Sequence, residues 1–304
     1  MSTFCFPEID AKLSDSISNC DAGFFLEQGL LHLRNVISPQ ELAVLDQESR
    51  GLLDNAGRAG FVDPDYMYSN HPQTGERVPF RIDYVTDKMP SARVLMAHPF
   101  VLRSVEMLVG SSFIPTWESK VFKMAGAGAQ VDWHRDAGPY LSNQPPVFFA
   151  DYYLDDADET TALRAIPGSH LWSYQDAMKR AAALNRDNDF GGPDIAVLPV
   201  KAGDVLFHHV HTLHGSPAGT GKLRRVIYFA FRAISVERIT SPNRPRFIPV
   251  KQRILLECLH CRAEAAPYVQ DSQPFSYRPD IESASPVFNK LDRVASFRIP
   301  HVEI

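Results

Sequence analysis

The chain has 304 residues, which is enough for one large domain or two small ones. Apolar residues make up 44% and charged residues 22% of it, a composition that excludes disordered, collagen-like and coiled-coil proteins. The 31 Lys and Arg against 36 Asp and Glu give a net charge of −5, so there is no basic excess for a phosphate backbone and we expect no nucleic-acid partner.

The first ten residues lack the basic stretch and apolar run of a secretory signal. No segment approaches the roughly 18 consecutive apolar residues that a membrane-spanning helix requires. We therefore expect a cytoplasmic protein with no membrane partner, and the sequence leaves homo-oligomerisation open.

The first predicted elements are a strand and a helix. Residues 29–37 are rich in β-compatible side chains and alternate loosely, which indicates a strand. Ser38 is a candidate N-cap, Pro39 fits the first helical position, and Glu41 would complete a capping box. A second helix is expected near residues 98–109.

Between residues 121 and 232 the pattern changes to short apolar or alternating runs that Gly and Pro separate. Several short strands with turns between them are typical of an antiparallel sandwich or barrel. The expected strands cover residues 147–154, 163–166, 195–200, 204–207 and 226–231.

The four cysteines are too few for a disulfide framework in a chain of this length, which favours a reducing compartment. Cys258 and Cys261 have the spacing of half a zinc site or a redox pair. No two further ligands follow at a matching spacing, so we favour two semi-buried thiols on a helix. A structural zinc protein that combines these thiols with histidines stays an alternative.

The candidate chemistry lies in two histidine motifs. His134 and Asp136 form an H-x-D motif in the β-rich region, and residues 208–214 contain four histidines in seven positions. Residues i and i+2 of a strand face the same side, so His134 and Asp136 are able to bind one ion together. Two imidazoles and one carboxylate leave three positions of an octahedron open, as in non-haem Fe(II) oxygenases. The alternative is a turn with a hydrogen-bonded histidine.

These motifs resemble the phytanoyl-CoA dioxygenase-like (PhyH) family of Fe(II)/2-oxoglutarate oxygenases. The resemblance covers about residues 20–235, and its motifs follow the family's order. They are residues 24–37, 130–136, 163–170, 203–207, 214–216 and 224–227. The resemblance implies a mainly β fold with flanking helices and a double-stranded β-helix (jelly-roll, cupin-like) core. It implies an oxygenase domain at 1–236 with N-terminal helical elements, and a C-terminal extension at 237–304 that packs on the same domain.

The resemblance also implies the metal ligands. His134, Asp136 and His214 would hold Fe(II), because in the family the distal histidine precedes Gly-Ser and here only His214 does so. His208 shares strand parity with His214 and is expected to point inward. His209 has the other parity, as does His211, and the two are expected on or under the sheet.

The cosubstrate implied by the resemblance is 2-oxoglutarate, whose distal carboxylate calls for a guanidinium. Arg225 fits the commoner spacing from the distal histidine, but the Arg-Arg-Val-Ile context favours Arg224, which we prefer. Ser216 resembles the hydroxyl that helps to hold the same carboxylate. Lys120 and Lys123 are expected to be solvated, although one of them is a candidate for reaching the cosubstrate.

The substrate pocket is the least defined part of the prediction. In the family its walls come from variable loops, here residues 61–87, 173–193 and the segment after 236. Arg81 and Tyr140 are candidates for the pocket, but surface or packing roles are favoured for both.

The resemblance implies oxidative decarboxylation of 2-oxoglutarate by O2 on Fe(II), coupled to hydroxylation of an unactivated C–H bond. The substrate would be a small-molecule metabolite or natural-product intermediate. Desaturation, epoxidation and cyclisation use the same triad and stay open. A non-catalytic jelly-roll ligand-binding protein is the alternative from another class.

Overall fold

The structure, a computed structural model, describes residues 4–71, 74–126, 128–139, 141, 145–219, 221–240, 245–265, 273–280 and 296–300. The strands in these ranges are β1 (Ile9–Asp10), β2 (Leu30–Arg34), β3 (Tyr66–Asn70), β4 (Arg77–Asp83), β5 (Phe113–Lys123), β6 (Val131–His134), β7 (Phe148–Tyr153), β8 (Leu163–Ala165), β9 (Ala196–Leu198), β10 (Val205–His209), β11 (His214–Ser216) and β12 (Arg224–Ala233). The helices are α1 (Asn19–Gln28), α2 (Pro39–Ala56), α3 (Val85–Lys88), α4 (Pro90–Met96), α5 (Pro99–Val109), α6 (Tyr174–Asp187), α7 (Ile234–Thr240) and α8 (Ile248–Glu264).

The strands form two sheets. An eight-stranded sheet has the order β1-β2-β10-β7-β12-β5-β4-β3, and a four-stranded sheet has the order β6-β11-β8-β9. Apart from the parallel pair of β1 and β2, neighbouring strands are antiparallel. Side chains from both sheets line one cavity, so the sheets face each other. The predicted mainly β fold with a double-stranded β-helix core and flanking helices is confirmed.

Most of the strands expected from periodicity are present, with ends that shift by a few residues. The predicted N-cap also holds, because Ser38 Oγ accepts a hydrogen bond from the Glu41 N–H at 3.2 Å. The carboxylate of Glu41 binds Arg262 of α8 at 3.0 Å, which ties the second helix to the last one.

The eleven-residue strand β5 was not predicted at its full length. Its centre carries Glu118 and Lys120 on the face opposite the cavity, and both are fully buried. Two charged residues in the middle of a strand interrupt the apolar alternation on which strand prediction depends. The sequence therefore indicated β structure only from residue 121 onward.

Residues 173–193 were expected to be a pocket loop, and this expectation is wrong. Most of the segment is helix α6, which Ser173 caps by accepting a hydrogen bond from the Asp176 N–H at 3.1 Å. The helix packs behind β6, where Asn185 Oδ1 accepts from the Trp133 N–H at 2.7 Å. No cavity-lining residue in the described ranges comes from 173–193.

The C-terminal segments pack on the outer face of the large sheet. Glu118 Oε1 accepts from the Ile299 N–H at 3.2 Å, and the Thr86 hydroxyl donates to the Phe297 carbonyl at 2.8 Å. The predicted boundary at residue 236 falls inside α7 and stays a prediction. Among the described residues, no helix has the length and hydropathy of a membrane span.

Candidate metal centre

The sheet of four strands brings the two histidine motifs together. In the β6–β11 pair His134 lies directly opposite His214, and the Asp136 N–H just beyond β6 donates to the Val210 carbonyl at 2.9 Å. Gly215 permits the close approach of the two strands, since a Cβ atom there would lie 2.9 Å from the Val131 carbonyl oxygen. A larger residue at this position of the His-Gly-Ser motif would therefore clash with β6.

Three candidate ligand side chains converge at this point. His134 Nε2 lies 3.4 Å from Asp136 Oδ1, and His214 Nε2 lies 3.6 Å from Asp136 Oδ2. One ligand atom from each residue lies within 4.8 Å of the others, and no other such group of three occurs in the described part of the chain. The structure thus brings together the three residues that the sequence singled out.

Backbone carbonyls fix the tautomers of both histidines. His134 Nδ1 lies 2.7 Å from the Asp132 carbonyl oxygen, and His214 Nδ1 lies 2.9 Å from that of Thr212. A carbonyl oxygen only accepts hydrogen bonds, so each Nδ1 carries a hydrogen and each Nε2 is the nitrogen left for a metal ion. This is the usual outer-sphere arrangement of a metal-binding histidine.

The charges of the three groups also suit a divalent cation. Burial lowers the pKa of His214 to about 3, so its ring is neutral. Burial alone would raise the pKa of Asp136, but the neighbouring imidazoles, His214 first, hold that pKa well below its usual range. Burial disfavours the charged form of His134, but the hydrogen bond with Asp136 outweighs it and raises the pKa of His134, so a metal ion has to compete with a proton at this ring. Two imidazoles and one carboxylate are the donor set of a non-haem Fe(II) facial triad, so the residues fit this ion.

A cavity of about 650 Å³ adjoins the three side chains, and Arg224 and Ser216 line one side of it. Arg224 is 3% exposed and donates from Nη1 to the Thr161 carbonyl, while its buried Nε has no hydrogen-bond partner among the described residues. Arg225 lies on the other face of β12 and forms a two-bond ion pair with Asp155 at 2.7 and 2.8 Å. Only Arg224 of the two arginines faces the cavity.

The expectation that Lys120 and Lys123 are solvated is wrong, because the two side chains are 0% and 2% exposed. Lys123 lies opposite Arg224 in the β5–β12 register and donates from Nζ to Ser216 Oγ at 2.8 Å. Burial, and then the nearby Arg224, lowers the pKa of Lys123 to about 7. Lys120 points to the opposite face, where burial holds its pKa well below the usual range.

The remaining walls of the cavity are mainly apolar and aromatic. The aromatic side chains among the lining residues are Phe80, Trp117, Phe149 and Tyr228. Arg81 also lines the cavity, where Asp83 holds its guanidinium at 3.0 and 3.1 Å and the Trp117 ring lies 5.7 Å away. The predicted wall at 61–87 therefore contributes Phe80 and Arg81. Tyr140 lies outside the described residues.

The other histidines face the sides that strand alternation predicted. His208 lines the cavity, whereas His209 and His211 are buried away from it. His208 also contacts Asp151, a residue that the sequence analysis missed. The available signal was that Asp151 is the one acidic residue in the apolar run 147–154.

The cysteine pair lies apart from these histidines. Cys258 is buried and Cys261 half-buried on helix α8, as predicted, and neither forms a disulfide with another described residue. Neither belongs to a group of three metal-ligand side chains in the described ranges. The structural zinc alternative therefore gains no support from the described residues.

Comparisons with known proteins agree with this geometry. The family model of phytanoyl-CoA dioxygenase (PhyH) matches residues 25–226. A probable alpha-ketoglutarate-dependent hypophosphite dioxygenase of Stutzerimonas stutzeri is 23% identical over 66% of this chain and 73% of its own.

Solved structures give the same result. AviO1 from Streptomyces viridochromogenes Tue57 is 25% identical, with a TM-score of 0.60 over 69% of this chain and 92% of its own. EctD from S. alaskensis, crystallised with 2-oxoglutarate and 5-hydroxyectoine, shares the fold at 20% identity and a TM-score of 0.58, over 73% of this chain and 78% of its own. The chain therefore belongs to the phytanoyl-CoA dioxygenase (PhyH) family and is an iron- and 2-oxoglutarate-dependent dioxygenase that uses O2.

Proposed function

We propose that this dioxygenase hydroxylates an unactivated C–H bond of a small-molecule metabolite or natural-product intermediate. The observation that carries the proposal is the convergence of two histidine Nε2 atoms and one carboxylate on a cavity that also contains a buried guanidinium. A non-catalytic ligand-binding protein would have no need for this donor set.

His134, Asp136 and His214 are proposed to hold Fe(II) from one side. Bound there, iron with 2-oxoglutarate supplies O2 activation and C–H oxidation, and 2-oxoglutarate leaves as succinate and CO2. The fixed tautomers of the histidines orient both Nε2 atoms before the ion arrives, so little reorganisation is needed on binding.

Arg224 and Ser216 are proposed to bind the distal carboxylate of 2-oxoglutarate. Burial of Arg224 removes competing water, and its Nε has no partner among the described residues, so the guanidinium retains donors for a carboxylate. Lys123 is proposed as a second cation at this point, because its Nζ already contacts the Ser216 hydroxyl. Lys123 is thus the one of the two candidate lysines that we propose to reach the cosubstrate.

The cavity walls support an organic substrate of modest size. A volume of about 650 Å³ lies in the range typical of small-molecule sites, and the aromatic side chains Trp117, Phe149 and Tyr228 provide apolar surface. These side chains keep bulk water from the reacting C–H bond. Desaturation, epoxidation and cyclisation need the same protein groups. Hydroxylation is therefore the outcome that we propose, and these three reactions are its alternatives.

The decisive experiment is a substrate screen that measures succinate released from 2-oxoglutarate by the iron-loaded protein, with His214→Ala as the matched control. Substrate-dependent succinate and a hydroxylated product would support the proposal. Anaerobic Fe(II) and 2-oxoglutarate should also produce a weak visible charge-transfer band. A protein that binds neither iron nor 2-oxoglutarate would be the non-catalytic jelly-roll alternative.

A further inference from the structure

His208 bridges two carboxylates beside the metal centre. Its Nδ1 lies 2.8 Å from Asp151 Oδ2, and its Nε2 lies 2.9 Å from Asp136 Oδ2. The side chains of His208 and Asp151 are 2% and 0% exposed. Nothing in the proposed triad requires a third histidine at this position, so the contact needs its own explanation.

We propose that His208, held by Asp151, is a positioning residue that occupies one oxygen of Asp136 and restricts this carboxylate to a single bond with iron. The inference rests on the proposed function of the triad. It concerns which atoms of Asp136 remain available to the metal.

The hydrogen-bond geometry supports this role. An ionised carboxylate oxygen only accepts hydrogen bonds, so Nε2 of His208 carries a hydrogen where it faces Asp136 Oδ2 at 2.9 Å. The ring nitrogen that points toward the metal centre then has no lone pair, so His208 is not suited to be a fourth ligand. Asp136 Oδ2 is engaged by His208, which leaves Oδ1, the oxygen that faces His134, for the ion.

The sheet fixes the ring of His208 independently of these hydrogen bonds. In the register of β10 and β7, His208 lies opposite Phe149, and the two rings stack at 5.2 Å with an angle of 14° between their planes. Asp151 follows two residues after Phe149 and so projects from the same face of β7. Neighbouring positions of one strand thus set both the plane of the imidazole and the hydrogen-bond partner of its Nδ1.

The consequence for the reaction follows from counting coordination positions. Three protein bonds leave three open positions of an octahedron, two for the chelating 2-oxoglutarate and one for O2. If Asp136 bound through both oxygens, it would take the position that O2 needs. His208 therefore protects the O2 position without touching the ion.

The test compares two substitutions of His208, each of which keeps one of its two hydrogen bonds and removes the other. The amide nitrogen of Gln reaches the place of the histidine Nε2, whereas that of Asn reaches the place of Nδ1. His208→Gln therefore keeps a donor to Asp136, and His208→Asn keeps only the donor to Asp151. The probes are Fe(II) and Co(II) affinity by anaerobic dialysis, the Co(II) visible spectrum, and the anaerobic Fe(II)/2-oxoglutarate band.

We expect His208→Asn to weaken metal binding about 10- to 100-fold and to change the Co(II) spectrum, as is usual for the loss of an outer-sphere partner. His208→Gln should retain most of the affinity and the native spectrum. Asp151→Asn should lower the affinity less than His208→Asn does, and it provides a second variant if the latter folds poorly. His209→Asn is the matched control, since it alters a buried histidine of the same strand that makes no contact with Asp136.

Three results would overturn the inference. Equal losses in the Gln and Asn variants would mean that His208 contributes packing alone. Loss of iron binding as complete as in His214→Ala would make His208 a ligand. If the unaltered protein failed to bind Fe(II) and 2-oxoglutarate, the proposed function itself would fail, which the wild-type titration shows separately.

Discussion

Replacing Arg224 should separate the two candidate anchors of 2-oxoglutarate. The guanidinium is 3% exposed and faces the cavity, so Arg224→Ala would leave a buried carboxylate without its cation. Truncating one partner of such a pair costs about 2 to 5 kcal/mol. This corresponds to an increase of about 30-fold to several thousand-fold in the apparent KM for 2-oxoglutarate.

Arg225→Ala is the control, and its effect should appear in stability instead. Its guanidinium binds Asp155 and Asp46 on the far side of β12, away from the cavity. Loss of these bonds should lower the free energy of unfolding by about 1 to 3 kcal/mol with little change in KM. Succinate release at varied 2-oxoglutarate, with urea unfolding in parallel, measures both quantities. A larger KM increase in Arg225→Ala would refute the assignment of Arg224.

Three further predictions concern the same centre. His134→Ala and His214→Ala should lose most of their Fe(II) affinity, whereas His211→Ala should not. Anaerobic iron titration measures this, and normal iron binding by His214→Ala would mean that His214 is not the ligand. Because the pKa of Lys123 is lowered to about 7, the lysine loses its proton above that pH and binding of the 2-oxoglutarate dianion must restore it. The dissociation constant should therefore increase by up to about tenfold per pH unit above pH 7, and an unchanged slope in Lys123→Met would contradict this reasoning. As a proposed ligand, Asp136 would fill the position that a halide needs, so turnover in chloride buffer should give a product with one added oxygen or two fewer hydrogens. A chlorine isotope pattern in its mass spectrum would refute the ligand role of Asp136.

The convergence of His134, Asp136 and His214 was predictable because its signals are local. His134 and Asp136 are two residues apart on one extended segment, and His214 is followed by a glycine that the strand pairing requires. Spacing in the sequence therefore reports almost directly on spacing in the sheet. Alternation along a strand predicted that only one of Arg224 and Arg225 faces inward, and the Arg-Arg-Val-Ile context favoured Arg224, which is the one that lines the cavity.

The errors came from burial that distant segments create. Lys120 and Lys123 were expected in solvent because strand β5 was not recognised as covered on both faces. On the outer face, which carries Lys120, that cover depends on helices and on residues 296–300, which lie far away in the sequence. On the inner face Lys123 is covered by β11, where its Nζ donates to Ser216 Oγ. Helix α6 had a usable signal in Ser173, whose side chain caps it, but the segment was interpreted as a loop.

The attachment of residues 296–300 to β5 affects the order in which parts of the chain fold during synthesis. Glu118 lies near the middle of the large sheet, yet one of its hydrogen-bond donors, the Ile299 N–H, comes 181 residues later. A ribosome-bound chain therefore presents the outer face of β5 without this cover until residues 296–300 have been synthesised. The strand whose inner face carries Lys123 reaches its final packing only then, so the proposed cosubstrate site should mature only after these residues have left the ribosome.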